Sequence, residues 1–476
     1  MSMQLTIAEN FPTAAAKSVA DTQVRKNVRH ATRVITTKRD KVVAEQADWE
    51  RLRESARKIR EHTLRHQDTY LQRFESNCTA AGGTVHWATD AADARRIVVD
   101  LVKQTQSSRA IKIKSMTSEE IALNAALESA GIETTETDLA ELIIQLGKDS
   151  PSHLVVPALH KNRQQIREIF RRELNLPNLG EQPADLADAA RRFLREKFLH
   201  VDVAVGGANF LLADTGGVCI VESEGNGRMC LTLPKTLIVV AGIDKVIPRF
   251  ADLSVFLQLL PRSATGERMN PYNSVWTGTH PGDGPSAMHV VLLDNGRSSM
   301  LADGESRQTL HCIRCGACQN VCPVYKQTGG HAYGSVYAGP IGAILAPQLV
   351  NSKQNQSLPY ASSLCGACYD VCPVKINIPE VLIHLRSRVV RGNQSSLIGM
   401  MDPENIAMQV MAKIFASDRR MRAAQRLGRV GQWPFVNRRG WIDRLPGMLA
   451  GWTQVRDLRP IPKESFREWW DKRKKP

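Results

Sequence analysis

Seven of the ten cysteines lie between His311 and Pro373, in two nearly matching runs. The first places Cys312, Cys315, Cys318 and Cys322 in the pattern C-x2-C-x2-C-x3-C and closes on Pro323. Three thiolates wound this tightly wrap three corners of one iron–sulfur cubane. The fourth, turned away at the proline, serves a neighbouring cluster. The second run repeats the pattern with Cys365, Cys368, Cys372 and Pro373, but Ser362 holds the first cysteine's slot. The crosswise rule assigns Cys312, Cys315, Cys318 and Cys372 to cluster one, and Cys322, Cys365 and Cys368 to cluster two. Three solutions compete for the last corner: a three-iron cluster, a four-iron cluster with an oxygen or outside ligand, or Ser362 alkoxide. The last is the poorest, because serine is a hard ligand for a thiophilic cluster. The expected cofactors are thus two iron–sulfur clusters, 4Fe-4S for the first and 4Fe-4S or 3Fe-4S for the second. Structural zinc needs only two Cys-x-x-Cys pairs and leaves the tripled spacing unexplained. A disulfide framework does not suit a chain this long with its thiols bunched in one region.

A second stretch with chemical potential runs from Glu222 to Cys230 and follows a strand. Glu224, Asn226 and Arg228 form a candidate ligand loop, since α/β folds bind ligands beyond strand C-termini and an arginine suits a carboxylate. An ordinary glycine-rich turn fits the spacing equally well. Lys114 and Asp138 are weaker candidates, His160 reads as a surface or satisfied histidine, and Cys78, Cys219 and Cys230 read as structural. No catalytic residue is assigned, and no G-x-G-x-x-G fingerprint suggests NAD or flavin.

The elements that position these residues are legible in outline. Residues 1–70 read as a charged helical region whose stripe of Trp49, Leu52, Ala56, Ile59 and Leu64 packs on the next domain. From 71 to 300 strands and helices alternate, which argues α/β with a largely parallel sheet. Strands are expected at Thr84–Trp87, Ala110–Ile113, Glu133–Glu136, His153–Val156, Val201–Val205, Val218–Val221, Leu237–Ala241 and His289–Leu293. Thr117 and Glu120 read as a capping box. Residues 301–391 form the ferredoxin-type cluster domain. Between its motifs, His331, Tyr333 and Tyr337 are placed to donate hydrogen bonds to a cluster. Residues 392–476 form a mostly helical basic region with five of the eight tryptophans.

The 476 residues carry a net charge of +15, and from Arg391 onward there are 18 Lys and Arg against 8 Asp and Glu. A basic tail suits a protein partner or peripheral membrane contact, or is a solvated face. No motif supports nucleic acid. No run of eighteen apolar residues suggests a transmembrane segment, and Met1–Lys17 has no signal-peptide pattern, so the expected location is cytoplasmic.

The segments Lys114–Ile121, Glu136–Glu141, Pro151–Lys161, Glu224–Arg228 and Thr232–Lys235, with both cysteine motifs and Gly329–Gly342, resemble the lactate utilisation protein B family over nearly the whole chain. The resemblance implies an α/β LUD domain of isomerase and CoA-transferase-like fold, followed by an α-helical two-cluster ferredoxin-type domain and the family's C-terminal region. It also implies an iron–sulfur electron-transfer subunit of an L-lactate dehydrogenase complex that oxidises L-lactate to pyruvate and allows growth on lactate. The implied partners are a cysteine-rich subunit and a smaller LUD protein. Two alternatives use the same residues: electron transfer from another 2-hydroxy acid such as glycolate, or redox sensing by a metabolite-binding protein.

Overall fold

The structure, a computed structural model, describes residues 7–395, 402–454 and 456–473. The chain forms two compact units, Met1–Arg386 and Ser387–Pro476.

The first unit is built on a six-stranded, wholly parallel sheet. Its strands are β1 (Thr84–Ala88), β2 (Arg109–Lys112), β3 (Glu133–Glu136), β4 (Val203–Gly206), β7 (Thr236–Gly242) and β10 (Ala287–Leu293). Their order is β1-β10-β7-β4-β2-β3. β7 is buried along its whole length, as an apolar run in the middle of such a sheet must be. Helices Ala91–Gln104 and Leu123–Ser129 cover one face through Val98, Leu101 and Leu127. Helices Leu139–Leu146, Arg163–Glu173 and Pro183–His200 cover the other through Leu142, Phe170 and Leu194. Each such fully buried side chain contributes about 1.5–3 kcal/mol.

A second, four-stranded sheet has the order β8-β5-β6-β9. These strands are β5 (Phe210–Leu212), β6 (Gly217–Glu222), β8 (Val246–Ile247) and β9 (Tyr272–Trp276). Period-two alternation splits its side chains between two cores. Leu211, Val218 and Val246 pack with the large sheet. Phe210, Leu212 and Cys219 pack toward the cluster region. Cys78 and Cys230 are also buried, in keeping with a packing role.

Two local expectations are corrected. His153–Val156 is irregular, not a strand. The reason is His153 itself: its Nδ1 accepts from the backbone N–H groups of Val155 and Val156, both at 3.1 Å. The helix after β2 is capped by Ser115, whose Oγ accepts from the Ser118 N–H, and not by Thr117. The N-terminal helices Phe11–Ala20, Thr22–Ala44, Trp49–Arg65 and Gln67–Ala80 are integral parts of the fold, in keeping with the expected packing of their apolar stripe. Trp49, Leu52, Ala56 and Leu64 join the core around the cysteine motifs. Arg53 Nε donates to the Cys372 carbonyl at 3.0 Å. Arg60, buried, donates to the carbonyls of Leu310 (2.7 Å), Val246 (3.1 Å) and Asp244.

In the second unit, helices Pro403–Phe415 and Asp418–Gly431 precede short turns and a last helix, Phe466–Arg473. Ser465 and Glu468 form a complete capping box: Ser465 N–H donates to Glu468 Oε2 (2.7 Å) and Glu468 N–H to Ser465 Oγ (3.3 Å). Phe466, Trp469 and Trp470 cluster, with ring centroids 5.5–6.3 Å apart. Trp433, Val430 and Leu427 stay exposed. No helix among the described residues is long and apolar enough to cross a membrane.

Candidate functional site

Each cysteine motif is a turn, a short helix and a proline stop. In the first, Arg314 and Gly316 take φ of +60° and +74°; in the second, Leu364 and Gly366 take +56° and +85°. Two left-handed residues, one in each successive x2 spacing, coil the chain tightly enough to present successive side chains inward, and glycine does so without a Cβ penalty. The copy extends to the first slot. Cys312 Sγ accepts from the Arg314 N–H at 3.4 Å, and Ser362 Oγ accepts from the Leu364 N–H at 3.1 Å. Ser362 therefore stands in the same local turn as Cys312.

Cys312, Cys315, Cys318 and Cys372 line one cavity, walled by Ile313, Ala317, Ile341, Val374, Ile376 and Ile378. Cys372, from the second run, thus sits with the first three. Cys322 is electrostatically close to Cys365, and Cys368 to both. Cys368 also acts on Cys318, so the two sets adjoin. All seven thiols are free, six are buried and Cys365 is exposed. Burial pushes the Cys372 thiol up to about 11 against the pull of the Ile376 and Val374 N–H groups, and Cys368 to about 12. Buried apolar thiols become ligating thiolates only with bound cations beside them. This donor set, convergent, soft and sheltered, fits iron–sulfur clusters.

Of the residues between the motifs, Tyr337 and His331 face the α/β domain, whereas Tyr333 lies near Cys322 and Cys318. Tyr337 OH donates to Glu120 Oε2 at 2.6 Å, and His331 Nε2 meets the Ser150 carbonyl at 2.8 Å. Tyr333 OH is buried without a partner. Gly330 lets the chain pass close to the Ser152 carbonyl oxygen, which a Cβ would approach to 1.9 Å. His160 is a satisfied histidine, held by Ser152 Oγ (2.8 Å) and Asp149 Oδ2 (3.0 Å). Lys161 shares that Asp149 carboxylate, so a cation already occupies the Asp149, His160 and His331 group.

A buried ion network ties the two regions together. Arg297 reaches both Glu120 oxygens (2.9 and 2.8 Å) and Asp244 Oδ1 (2.6 Å). Asp244 Oδ2 faces Arg314 at 3.6 Å, and Arg314 lies over the Tyr337 ring at 5.0 Å. The carboxylates of Glu120 and Asp244 are held below the usual range by Arg297 against heavy desolvation.

His153 forms another tie. Its Nε2 donates to Asn320 Oδ1 at 3.1 Å, and Leu154 N–H donates to Gln319 Oε1 at 3.2 Å. Burial pushes His153 down to about 4. A proton on Nδ1 would face two backbone donors. The unfolded chain therefore takes up the proton first as pH falls, and the stability His153 provides is full above about pH 6.5 and lost toward pH 4. Holo protein should lose about 2 kcal/mol from this group between pH 7 and pH 5. His153→Gln should flatten that slope, as read by urea midpoints across the range. Equal slopes in both proteins would refute it.

A cavity of about 250 Å³ opens beyond the C-terminal ends of β2 and β4. The connections from these neighbouring strands run in opposite directions along the sheet, which is the switch point where open α/β sheets bind ligands. Lys114 and Ser115 after β2, and Gly207 and Asn209 after β4, line it. So do Asp138, Glu224, Asn226 and Lys245, and from the cysteine region Arg314 and Cys315. Of the predicted ligand loop, Glu224 and Asn226 are brought here. Arg228 is exposed, outside the lining, its backbone N–H given to Glu222 Oε1 at 2.6 Å. Partial desolvation, with the Asp138 carboxylate nearby, raises Glu224 above the ordinary carboxylate range although its side chain stays open to solvent. Lys245 and Arg314, 69 residues apart in sequence with no shared motif, escape sequence reasoning.

The fold and site define a LUD domain fused to a two-cluster ferredoxin-type region. Family models match accordingly: LUD domain over residues 71–293, 4Fe-4S dicluster domain over 308–376, and lactate utilisation protein B, C-terminal, over 385–475. Lactate utilization protein B 1 of Bacillus mycoides is 42% identical over 464 residues, covering 97% of this chain and 96% of its own. Lactate utilization protein B of Bacillus licheniformis is 41% identical over 456 residues, covering 95% and 94%. The chain belongs to the lactate utilisation protein B family. A solved structure of a DUF162 family protein from Deinococcus radiodurans aligns with 48% of this chain and 98% of its own, at 10% identity and a TM-score of 0.27.

Proposed function

We propose that the chain is the iron–sulfur electron-transfer subunit of a system that oxidises L-lactate to pyruvate, working with partner subunits. The observation that carries this reading is the convergence of Cys312, Cys315, Cys318 and Cys372 on one apolar-walled cavity. These four hold cluster one, and Cys322, Cys365 and Cys368 hold cluster two. When bound, the two clusters supply adjacent one-electron carriers for the two electrons that a 2-hydroxy acid releases. The Arg314 and Ile376 N–H groups donate to Cys312 and Cys372 sulfur at 3.4 and 3.3 Å, which stabilises the more negative, reduced state. Ile341, Val374 and Ile376 keep water from the first set. The relatives' names supply lactate as the metabolite.

Ser362 Oγ accepts from the Leu364 N–H, and Cys365 near it is exposed, so cluster two has an accessible open corner. Anaerobically purified protein should carry about seven iron atoms per chain with a paramagnetic oxidised cluster, and Ser362→Cys about eight with that signal gone. Electron paramagnetic resonance and iron analysis read both. An unchanged spectrum in Ser362→Cys would sink the open corner. For the function itself, the complex mixed with L-lactate should bleach its cluster absorbance in step with pyruvate release. No bleaching with all partner subunits present would overturn the reading.

A further inference from the structure

We propose that the cavity beyond β2 and β4 is a carboxylate site, in which Lys245 and Arg314 hold the acid group of a small 2-hydroxy or 2-oxo acid against the wall formed by Cys315. This deepens the function proposed above and rests on it only for what lies behind that wall.

The cations are in place, and each keeps donor capacity free. Lys245 is 7% exposed, lines the cavity and makes no hydrogen bond or ion pair among the described residues. A buried ammonium without a counter-charge is costly unless an anion joins it. Arg314 commits one nitrogen to Asp244, while its Nη1 is buried and unpartnered. Asp244 acts on Lys245 from nearby, but its charge is already shared by Arg297 and Arg314. A planar guanidinium with a free N–H beside an ammonium is the pairing that a carboxylate fits.

The opposite lining differs in character. Glu224, Asp138 and Asn226 offer acceptors there. A ligand with an acid group at one end and a hydroxyl at the other satisfies both sides, whereas a simple dicarboxylate would set its second charge against acids. The volume of about 250 Å³ suits a metabolite of a few carbons, not a dinucleotide. Cys315 lines this cavity and also the thiol-lined one, so ligand and cluster one would share a wall one residue thick.

A competing role exists for Lys245: offsetting the charge of Cys312 and its neighbours, which it feels. Anaerobic calorimetry on the full-length holo chain separates the two, with L-lactate and pyruvate as probes and lactamide as the uncharged isostere of lactate. L-Lactate and pyruvate should bind, lactamide at least tenfold more weakly. Lys245→Met should weaken pyruvate at least tenfold with iron and sulfide content unchanged. Pyruvate should shift the reduced-cluster paramagnetic spectrum of the parent protein but not of Lys245→Met. Equal affinity for L-lactate and lactamide overturns the proposal. So does undiminished pyruvate binding in Lys245→Met, including the case where only its cluster potential moves. Should Lys245→Met not fold, Ala208→Phe fills the cavity and leaves both cations, and it must abolish pyruvate binding. Pyruvate binding by a chain without clusters would sink the cluster reading alone. Full clusters without pyruvate binding would sink this proposal alone.

Discussion

Replacing Arg297 with methionine should destabilise the first unit by about 3–5 kcal/mol, the usual cost of breaking a buried ion pair from one side. Arg297 is 1% exposed and is the shared partner of Glu120 and Asp244, both wholly buried. Methionine fills much of the volume but leaves Glu120 with only the neutral donors Tyr337 and Asn295. Burial then dominates that carboxyl and raises its folded pKa above the unfolded one. Such a group stabilises below the unfolded value and loses that stability as pH rises, so the defect should be larger at pH 8 than at pH 6. Adding Glu120→Gln should recover part of the loss. Urea midpoints of the parent, single and double variants at both pH values check it. A loss below 1 kcal/mol, or one independent of pH, would show the network to be dispensable.

Cys372→Ala should remove cluster one, although the residue belongs to the second motif. Cys322→Ala should remove or degrade cluster two, although it belongs to the first. Iron content should fall by about half in each. The signals lost should differ: the open-cornered cluster survives in Cys372→Ala and the four-thiolate cluster survives in Cys322→Ala. The basis is placement, Cys372 lining the cavity of Cys312, Cys315 and Cys318 while Cys322 neighbours Cys365 and Cys368. Spectra with the two losses exchanged would mean that each motif serves its own cluster.

The cysteine spacing made the cluster region legible because ligand geometry is encoded over a dozen residues. Most sheet strands were legible too: Glu133–Glu136 was expected at its observed bounds, β7 extends past its expected run by one residue at each end, and β10 by two at its start. His153–Val156 misled because Leu154, Val155 and Val156 have strand composition, while a histidine side chain captures the backbone N–H groups that a ladder would use. Helical character at the N-terminus and the packing of its apolar stripe were plain, but its partners in the cysteine region were not. Arg53 and Arg60 find carbonyl partners up to 319 residues away, and no local pattern encodes such distances. The cavity failed to show for the same reason. Glu224 and Asn226 stood out beside glycines, but Lys245 follows a hydrophobic strand and Arg314 hides inside a cysteine motif. Arg228 looked like the natural anion partner only because the loop's direction was unknown.

The bond from Arg53 to the Cys372 carbonyl has a consequence for how the protein is made. The helix Trp49–Arg65 leaves the ribosome 319 residues ahead of its partner at Cys372. At about 5–20 residues per second, roughly 15–60 s separate the two. The same helix lies against the cysteine region in the finished fold. That helix can make this contact only once Cys372 has been made, so the contact belongs to a late stage of folding rather than to the helix's own synthesis.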